Sequence, residues 1–174
     1  MIWRALYTLA LGALLPVILF RLWWRGLREP GYRRHVYERF GYYKDAPRRV
    51  GGPHGGKPLI WLHAVSVGEA RASAALARAL GEAHPECGGL VTCMTAAGRD
   101  TLKHLHGESV QIAWLPYDYP GAVRRFLEHF RPRLAVLLET ELWPNLLAAC
   151  AEFGVPVLLA NARLSEKSAE GYRR

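Results

Sequence analysis

Leu59-Ile60-Trp61-Leu62-His63-Ala64-Val65-Ser66-Val67-Gly68-Glu69-Ala70-Arg71 is the stretch whose reading decides the fold. Leu59 to Leu62 is a short apolar run after a Gly/Pro-rich spacer, which predicts a buried strand. From Glu69 onward, Ala70, Ala72, Ala74, Ala75, Leu76, Ala77, Ala79 and Leu80 predict a helix of strong formers. Gly68 lies in the tight turn between them. The arrangement delivers Glu69 to the first turn of a helix at the carboxyl end of a strand, the edge where open α/β sheets bind ligands. A carboxylate there is either a partner for the helix dipole or a working base.

Downstream, the same alternation repeats. Strands are predicted at Leu59–Ala64, Leu90–Met94, Val110–Leu115, Leu134–Leu138 and Val155–Ala160. Helices are predicted at Glu69–Leu80, about Gly98–Leu105, about Pro120–Phe130 and about Pro144–Phe153. Pro120 and Pro144 suit the first helical position, with Asp118 or Tyr119 as a cap region before Pro120. Ser165 is the expected cap of a fifth helix. Strands alternating with helices imply βαβ units, hence an α/β fold with a Rossmann-like parallel sheet and flanking helices. The strands are continuous apolar runs, as strands covered on both faces should be.

In such a sheet the polar strand-to-helix turns fall on one carboxyl edge. They are Ser66-Val67-Gly68-Glu69, Thr95-Ala96-Ala97-Gly98-Arg99 and Glu139-Thr140-Glu141-Leu142-Trp143-Pro144-Asn145, joined by Asn161-Ala162-Arg163-Leu164-Ser165. Clustered carboxylates shift each other's pKa toward general-base use, which favours a working role for Glu69. A dinucleotide fingerprint needs three glycines after the first strand, and here Gly68 stands alone. No Walker lysine motif is present. His104 and His106 are two residues apart and do not share a helix face, so a metal site is not expected. His63, after an apolar strand, reads as a hydrogen-bonded histidine of the core or the site edge.

Upstream, Ala5 to Phe20 is uncharged and apolar, and Leu22, Trp23 and Trp24 extend it past Arg21. A helix from Ala5 to Trp24 would measure about 30 Å, roughly a hydrocarbon core. No small-residue cleavage site follows, so an uncleaved anchor is expected, spanning or deeply interfacial. Arg21, Arg25, Arg28, Arg33, Arg34 and Arg39 follow, against Arg4 alone before the run. That bias places residues 25 onward in the cytoplasm. Residues 21–49 hold nine Lys/Arg and three Asp/Glu, whereas residues 50–174 hold thirteen and twelve. The basicity belongs to one segment, which suits a membrane surface and not a nucleic-acid partner. Tyr32, Tyr37, Phe40, Tyr42 and Tyr43 are interleaved with these arginines. The segment is either a juxtamembrane helix on anionic head groups or a basic face whose aromatics pack on the domain. Pro47 to Pro58 reads as a linker. Cys87, Cys93 and Cys150 have no paired spacing and read as reduced, mostly buried thiols.

Five motifs in order carry a family resemblance: HAVSVGE (His63–Glu69), TCMTAAG (Thr92–Gly98), LPYDYPGAVRRFL (Leu115–Leu127), ETELWPN (Glu139–Asn145) and NARLSEKSAEGYRR (Asn161–Arg174). With the anchor and the basic Tyr/Arg segment, the chain closely resembles the N-terminal half of 3-deoxy-D-manno-octulosonic acid (Kdo) transferase. The resemblance implies the GT-B fold, with two Rossmann-like domains facing across a cleft. It implies an inverting transfer of Kdo from CMP-Kdo to the lipid A precursor at the inner membrane, without a metal or other cofactor. Glu69 would then be the general base, and Glu139 would stabilise the transition state. Ser66, Gly68, Glu141, Asn161 and Arg163 would line the substrate, and Arg33, Arg34 or Arg39 would hold the acceptor's phosphates. Residues 1–24 are then the membrane-anchor helix, 25–58 the juxtamembrane segment and linker, and 59–174 the acceptor-side domain. The sequence stops at Arg174, so a truncated chain without the donor domain is expected, inactive on its own. The alternative is a non-catalytic membrane-bound α/β module that binds the anionic lipid.

Overall fold

The computed structural model describes residues 2–44, 56–139 and 143–161. Helix α1 (Ile2–Arg28) comes first, followed by two 3-10 turns, Pro30–Arg33 and Val36–Phe40. The alternating part is β1 (Leu59–His63), α2 (Val67–Ala83), β2 (Gly88–Cys93), α3 (Ala96–His106), β3 (Val110–Trp114), α4 (Pro120–Phe130), β4 (Pro132–Leu138), α5 (Pro144–Glu152) and β5 (Val157–Ala160). Every expected strand and helix within the described residues is present, and only the ends move. The last strand starts at Val157 because Gly154 turns left-handed (φ 65°) and Val155 N–H closes the end of α5 on Cys150 O at 2.8 Å. The expected cap Ser165 lies outside the described residues, as does most of the spacer after Pro47.

The sheet is parallel throughout, in the order β3-β2-β1-β4-β5. The chain winds outward from β1 to β3, returns past β1 to β4, and winds outward again. Right-handed crossovers of opposite direction put α2 and α3 on one face and α4 and α5 on the other. The pleat of β1 divides accordingly. Leu59 and Trp61 enter one core with Phe126, Phe130 and Leu146, while Leu62 enters the other with Ala70 and Leu102.

Residues 30–43 cover the open edge of β3, a place where unpaired backbone groups would otherwise face solvent. Trp114 N–H donates to Glu38 Oε2 at 2.8 Å, and Trp114 O accepts the Tyr43 hydroxyl at 3.0 Å. Trp114 Nε1 donates to Arg34 O at 2.9 Å. Tyr32 and Tyr43 are buried. Of the two readings of the basic aromatic segment, the aromatics packing on the domain is the one observed. Gly41 makes the close approach possible: its φ is 83°, and a Cβ there would collide with Ala122 O.

Helix α1 lies along the domain. Its less exposed residues are Tyr7, Thr8, Leu11, Leu15, Ile18, Leu22, Arg25 and Gly26, a single stripe of three- and four-residue steps. The rest of its surface is exposed and largely apolar, so it is a candidate membrane anchor and not a core helix.

Candidate active site

In the order β3-β2-β1-β4-β5, the direction in which successive strands are added reverses between β1 and β4. Open α/β sheets bind ligands beyond the carboxyl ends of strands at such a switch point. Glu69 stands in the first turn of α2, just after β1, and Glu139 directly follows β4. Both acids singled out in the sequence therefore flank the crevice that such a switch point leaves.

Glu69 is held by a reciprocal cap at the start of α2. Its backbone N–H donates to Ser66 Oγ at 3.3 Å, while Ser66 Oγ donates to Glu69 Oε1 at 2.7 Å. Glu69 Oε2 accepts from Val65 N–H at 2.9 Å. This is a capping box shifted by one residue, since Val65 and not Ser66 supplies the backbone donor. Glu69 as a residue is 8% exposed. A carboxylate offers about four acceptor positions, so two remain for a substrate hydroxyl. The spacing Ser66-x-x-Glu69 was a legible capping signal in the sequence. Gly68, by contrast, is exposed and faces open space: a Cβ there would meet only Ser66 Oγ, at 3.8 Å.

The loop after β2 supports this turn from below. Thr95 Oγ1 accepts Gly98 N–H at 3.1 Å, capping α3, and donates to Val65 O at 3.2 Å. A Cβ on Gly98 would stand 2.7 Å from Thr95 Oγ1 and 3.4 Å from Val65 O, so a glycine lets the two loops meet. Thr92 accepts from the Trp61 indole at 2.7 Å and lies 2.9 Å from His63 Nδ1. Burial drives the His63 ring down to a pKa of about 4, against the opposing effect of its bond to Thr92. His63 is thus a neutral, buried histidine of the site edge. Cys93 and Cys150 are buried free thiols, with burial raising them to about 12 and about 11. Cys87 is half-buried.

On the other side of the crevice, Glu139 is exposed and left-handed (φ 61°), with its N–H donating to Ala160 O at 2.9 Å. Asn161, at the end of β5, is also exposed and left-handed (φ 55°). Such backbone in non-glycine residues is uncommon and concentrates at functional sites. Glu141 and Arg163 lie outside the described residues.

Asp118 and Asn145 do work that spacing did not show. Tyr119, one of the two expected candidates, is the N-cap of α4, and Asp118 does not cap that helix. Asp118 caps α5, accepting Asn145 N–H at 3.0 Å and Leu146 N–H at 2.8 Å, while Asn145 Nδ2 donates to Asp118 O at 2.6 Å. Burial raises the Asp118 carboxyl, and these N–H groups with the Tyr7 hydroxyl oppose the rise. The acid that caps one helix thus comes from the loop before another, a contact between loops separated by two elements.

Arg33 and Arg34 are exposed. Arg39 is only 2% exposed, with its guanidinium 4.0 Å from the Trp114 ring centroid, flanked by Tyr32 and Tyr117, and bonded to Met94 O at 3.2 Å. Arg39 therefore packs the β3 edge, while the other two arginines face solvent.

Fold and edge together define the class: a doubly wound α/β domain with a topological switch point between β1 and β4. The family model for 3-deoxy-D-manno-octulosonic-acid transferase (kdotransferase) matches residues 34–174. A 3-deoxy-D-manno-octulosonic acid transferase of Bordetella pertussis is 44% identical over 95% of this chain and 38% of its own length. One from Haemophilus influenzae is 37% identical over 98% of this chain and 38% of its own length. A probable mitochondrial one from Arabidopsis thaliana is 36% identical over 88% of this chain and 33% of its own length. The chain belongs to the Kdo transferase family and is a glycosyltransferase domain of it. It spans 38% of the length of the two bacterial relatives.

Proposed function

We propose that this domain is the acceptor side of a GT-B Kdo transferase of lipopolysaccharide biosynthesis, working at the cytoplasmic face of the inner membrane. The observation that carries the proposal is the pair of acids after β1 and β4, at the switch point. Glu69 takes the proton from a sugar hydroxyl of the lipid A precursor. The resulting oxygen attacks the anomeric carbon of Kdo, the bond to phosphate breaks on the opposite face, and CMP leaves. The product has inverted configuration. Glu139 stabilises the positive charge that develops on the sugar ring, as a carboxylate beside an oxocarbenium-like centre does. Ser66 orients the base through its 2.7 Å bond, and the open face of Gly68 leaves room for the acceptor. Asn161, Glu141 and Arg163 belong to the same edge, and Arg33 and Arg34 meet the lipid's phosphates. No metal or cofactor is assigned. Further donor contacts come from the remaining length of the family's proteins.

The capping bonds of Glu69 favour one other reading, a lipid-binding module in which Glu69 is purely structural. The two separate in one measurement: CMP-Kdo-dependent transfer to a lipid A precursor by the protein carrying this domain, native and Glu69→Gln. Loss of transfer with the lipid still bound supports the base. An unchanged rate in Glu69→Gln removes Glu69 from the chemistry.

A further inference from the structure

The apolar length of α1 fits a helix that crosses a bilayer, but its packing does not. Both ends rest on the domain. Arg4 pairs with Glu152 at 3.8 Å, Thr8 bonds Asn145 Nδ2 at 3.0 Å, and Tyr119 donates its hydroxyl to Leu11 O at 2.8 Å. At the far end Leu22 is buried, and Gly26 meets the Arg33 side chain. The helix has 27 residues, so it lies along the domain for about 40 Å.

Its charges are sorted by face, while exposed apolar residues, Trp3, Leu14, Leu19 and Trp23 among them, stand on both flanks. At ~100° per residue, Arg4 and Arg25 fall on the stripe that touches the domain, and Arg21 and Arg28 on its flank. The opposite face carries Ile2, Leu6, Leu9, Phe20, Trp24 and Leu27, all exposed. A spanning helix needs no such sorting. A helix lying in the interface does, with its apolar face among the acyl chains and its basic flank at the head groups. Crossing would also carry Arg124 and Glu152, which line the groove between α1 and the α4–α5 face, toward hydrocarbon. Ionised side chains facing hydrocarbon are costly and rare.

We infer that α1 is an in-plane membrane element that binds an anionic phospholipid surface with its Ile2–Leu27 face and does not cross the bilayer. The inference rests on the membrane-attached reading above and fixes its geometry. The partner is a bilayer because the exposed face is flanked by arginines and continues into the exposed Arg33 and Arg34, matching anionic head groups.

The test uses the chain in vesicles of phosphatidylethanolamine and phosphatidylglycerol, with Cys87→Ser removing the half-buried thiol. Trp3→Cys and Ala13→Cys are both at exposed positions, so neither disturbs the packed stripe. A membrane-impermeant maleimide added outside should label Trp3→Cys fully, with no gain on lysis, when protease also digests the domain from outside. Labelling that appears only after lysis means the helix crosses and overturns the inference. A spin label on Ala13→Cys should lie about 5–10 Å below the head groups. A depth near the bilayer centre, about 15 Å, overturns it. So does failure of the chain to float with the vesicles. Efficient disulfide formation between Ala13→Cys copies would assign the face to a second copy instead. None of these readouts depends on transfer activity, so they fail independently of the catalytic proposal.

Discussion

Glu69 serves two roles whose costs are separable. As the anchor of the capping box it satisfies Val65 N–H and fixes Ser66. As a base it must accept a proton. Glutamine can keep the first role, because its oxygen still accepts Val65 N–H and its amide can donate to Ser66 Oγ. Glu69→Gln should therefore change unfolding stability by well under 1 kcal/mol and lower transfer by about 10²–10⁴-fold. Glu69→Ala should lose transfer similarly and also destabilise by about 1–2 kcal/mol, because the cap is gone. Denaturant titrations beside rate measurements distinguish these outcomes, and equal stability of the two variants would show that the cap contributes nothing. His63 makes a pH prediction. Its folded pKa is about 4, against 6.5 for an ordinary histidine. Between those values the unfolded chain binds a proton that the folded one does not, so stability falls as pH drops through the window. Above it the two states match, and below it the loss is complete, on the order of 3 kcal/mol. Replacing His63 with Gln should flatten that part of the stability–pH curve, measured from urea midpoints at neutral and acidic pH. An unchanged slope would mean that other groups carry it.

At the scale of elements, the cover over β3 is the most exacting feature. Arg99 and Glu38 pair at 2.8 Å inside it, and Glu38 also takes the Trp114 N–H. Removing one partner of a buried pair leaves the other charged and unpaired, which costs about 3–5 kcal/mol. Glu38→Ala should destabilise by that amount, and adding Arg99→Met should restore part of it, read from denaturant midpoints. A double variant no better than Glu38→Ala would show that the Trp114 N–H, and not the stranded Arg99, accounts for the loss. None of this was visible in the sequence. Composition showed arginines among aromatics, but Glu38 and Arg99 are 61 residues apart, and a pair that distant leaves no periodic trace. The sheet was legible because its signal is local: runs such as Leu134–Leu138 and proline at the first helical position announce themselves. The turn at Ser66 was legible for the same reason. Of the two candidates before Pro120, Tyr119 is the cap, and the role of Asp118 left no local trace because its partners Asn145 and Leu146 belong to another βα loop. Arg39 was expected among lipid phosphates because exposure cannot be read from charge, and it stacks on Trp114 instead.

The whole molecule is divided by charge. The folded α/β part is close to neutral, and the excess lies in residues 21–49, where nine basic residues meet three acidic ones. The fold splits that excess again. Arg39 is buried, and Arg25 stacks on Tyr32 at 4.5 Å. Arg21, Arg28, Arg33 and Arg34 remain exposed. They stand at or just beyond the end of α1, beside its exposed Trp23, Trp24 and Leu27. Basic residues near an anionic surface each contribute about 1 kcal/mol, screened within a Debye length. Arg21 and Arg28 carry little packing, so Arg21→Gln with Arg28→Gln should leave thermal unfolding unchanged. The pair should weaken binding to phosphatidylglycerol-containing vesicles by about thirtyfold at low salt. On vesicles of phosphatidylcholine alone, where only the apolar face acts, native and variant proteins should bind alike. Flotation at low and high salt measures both effects. A variant that binds the anionic vesicles as tightly as the native protein would mean that attachment is purely hydrophobic and that the basic flank serves the substrate instead.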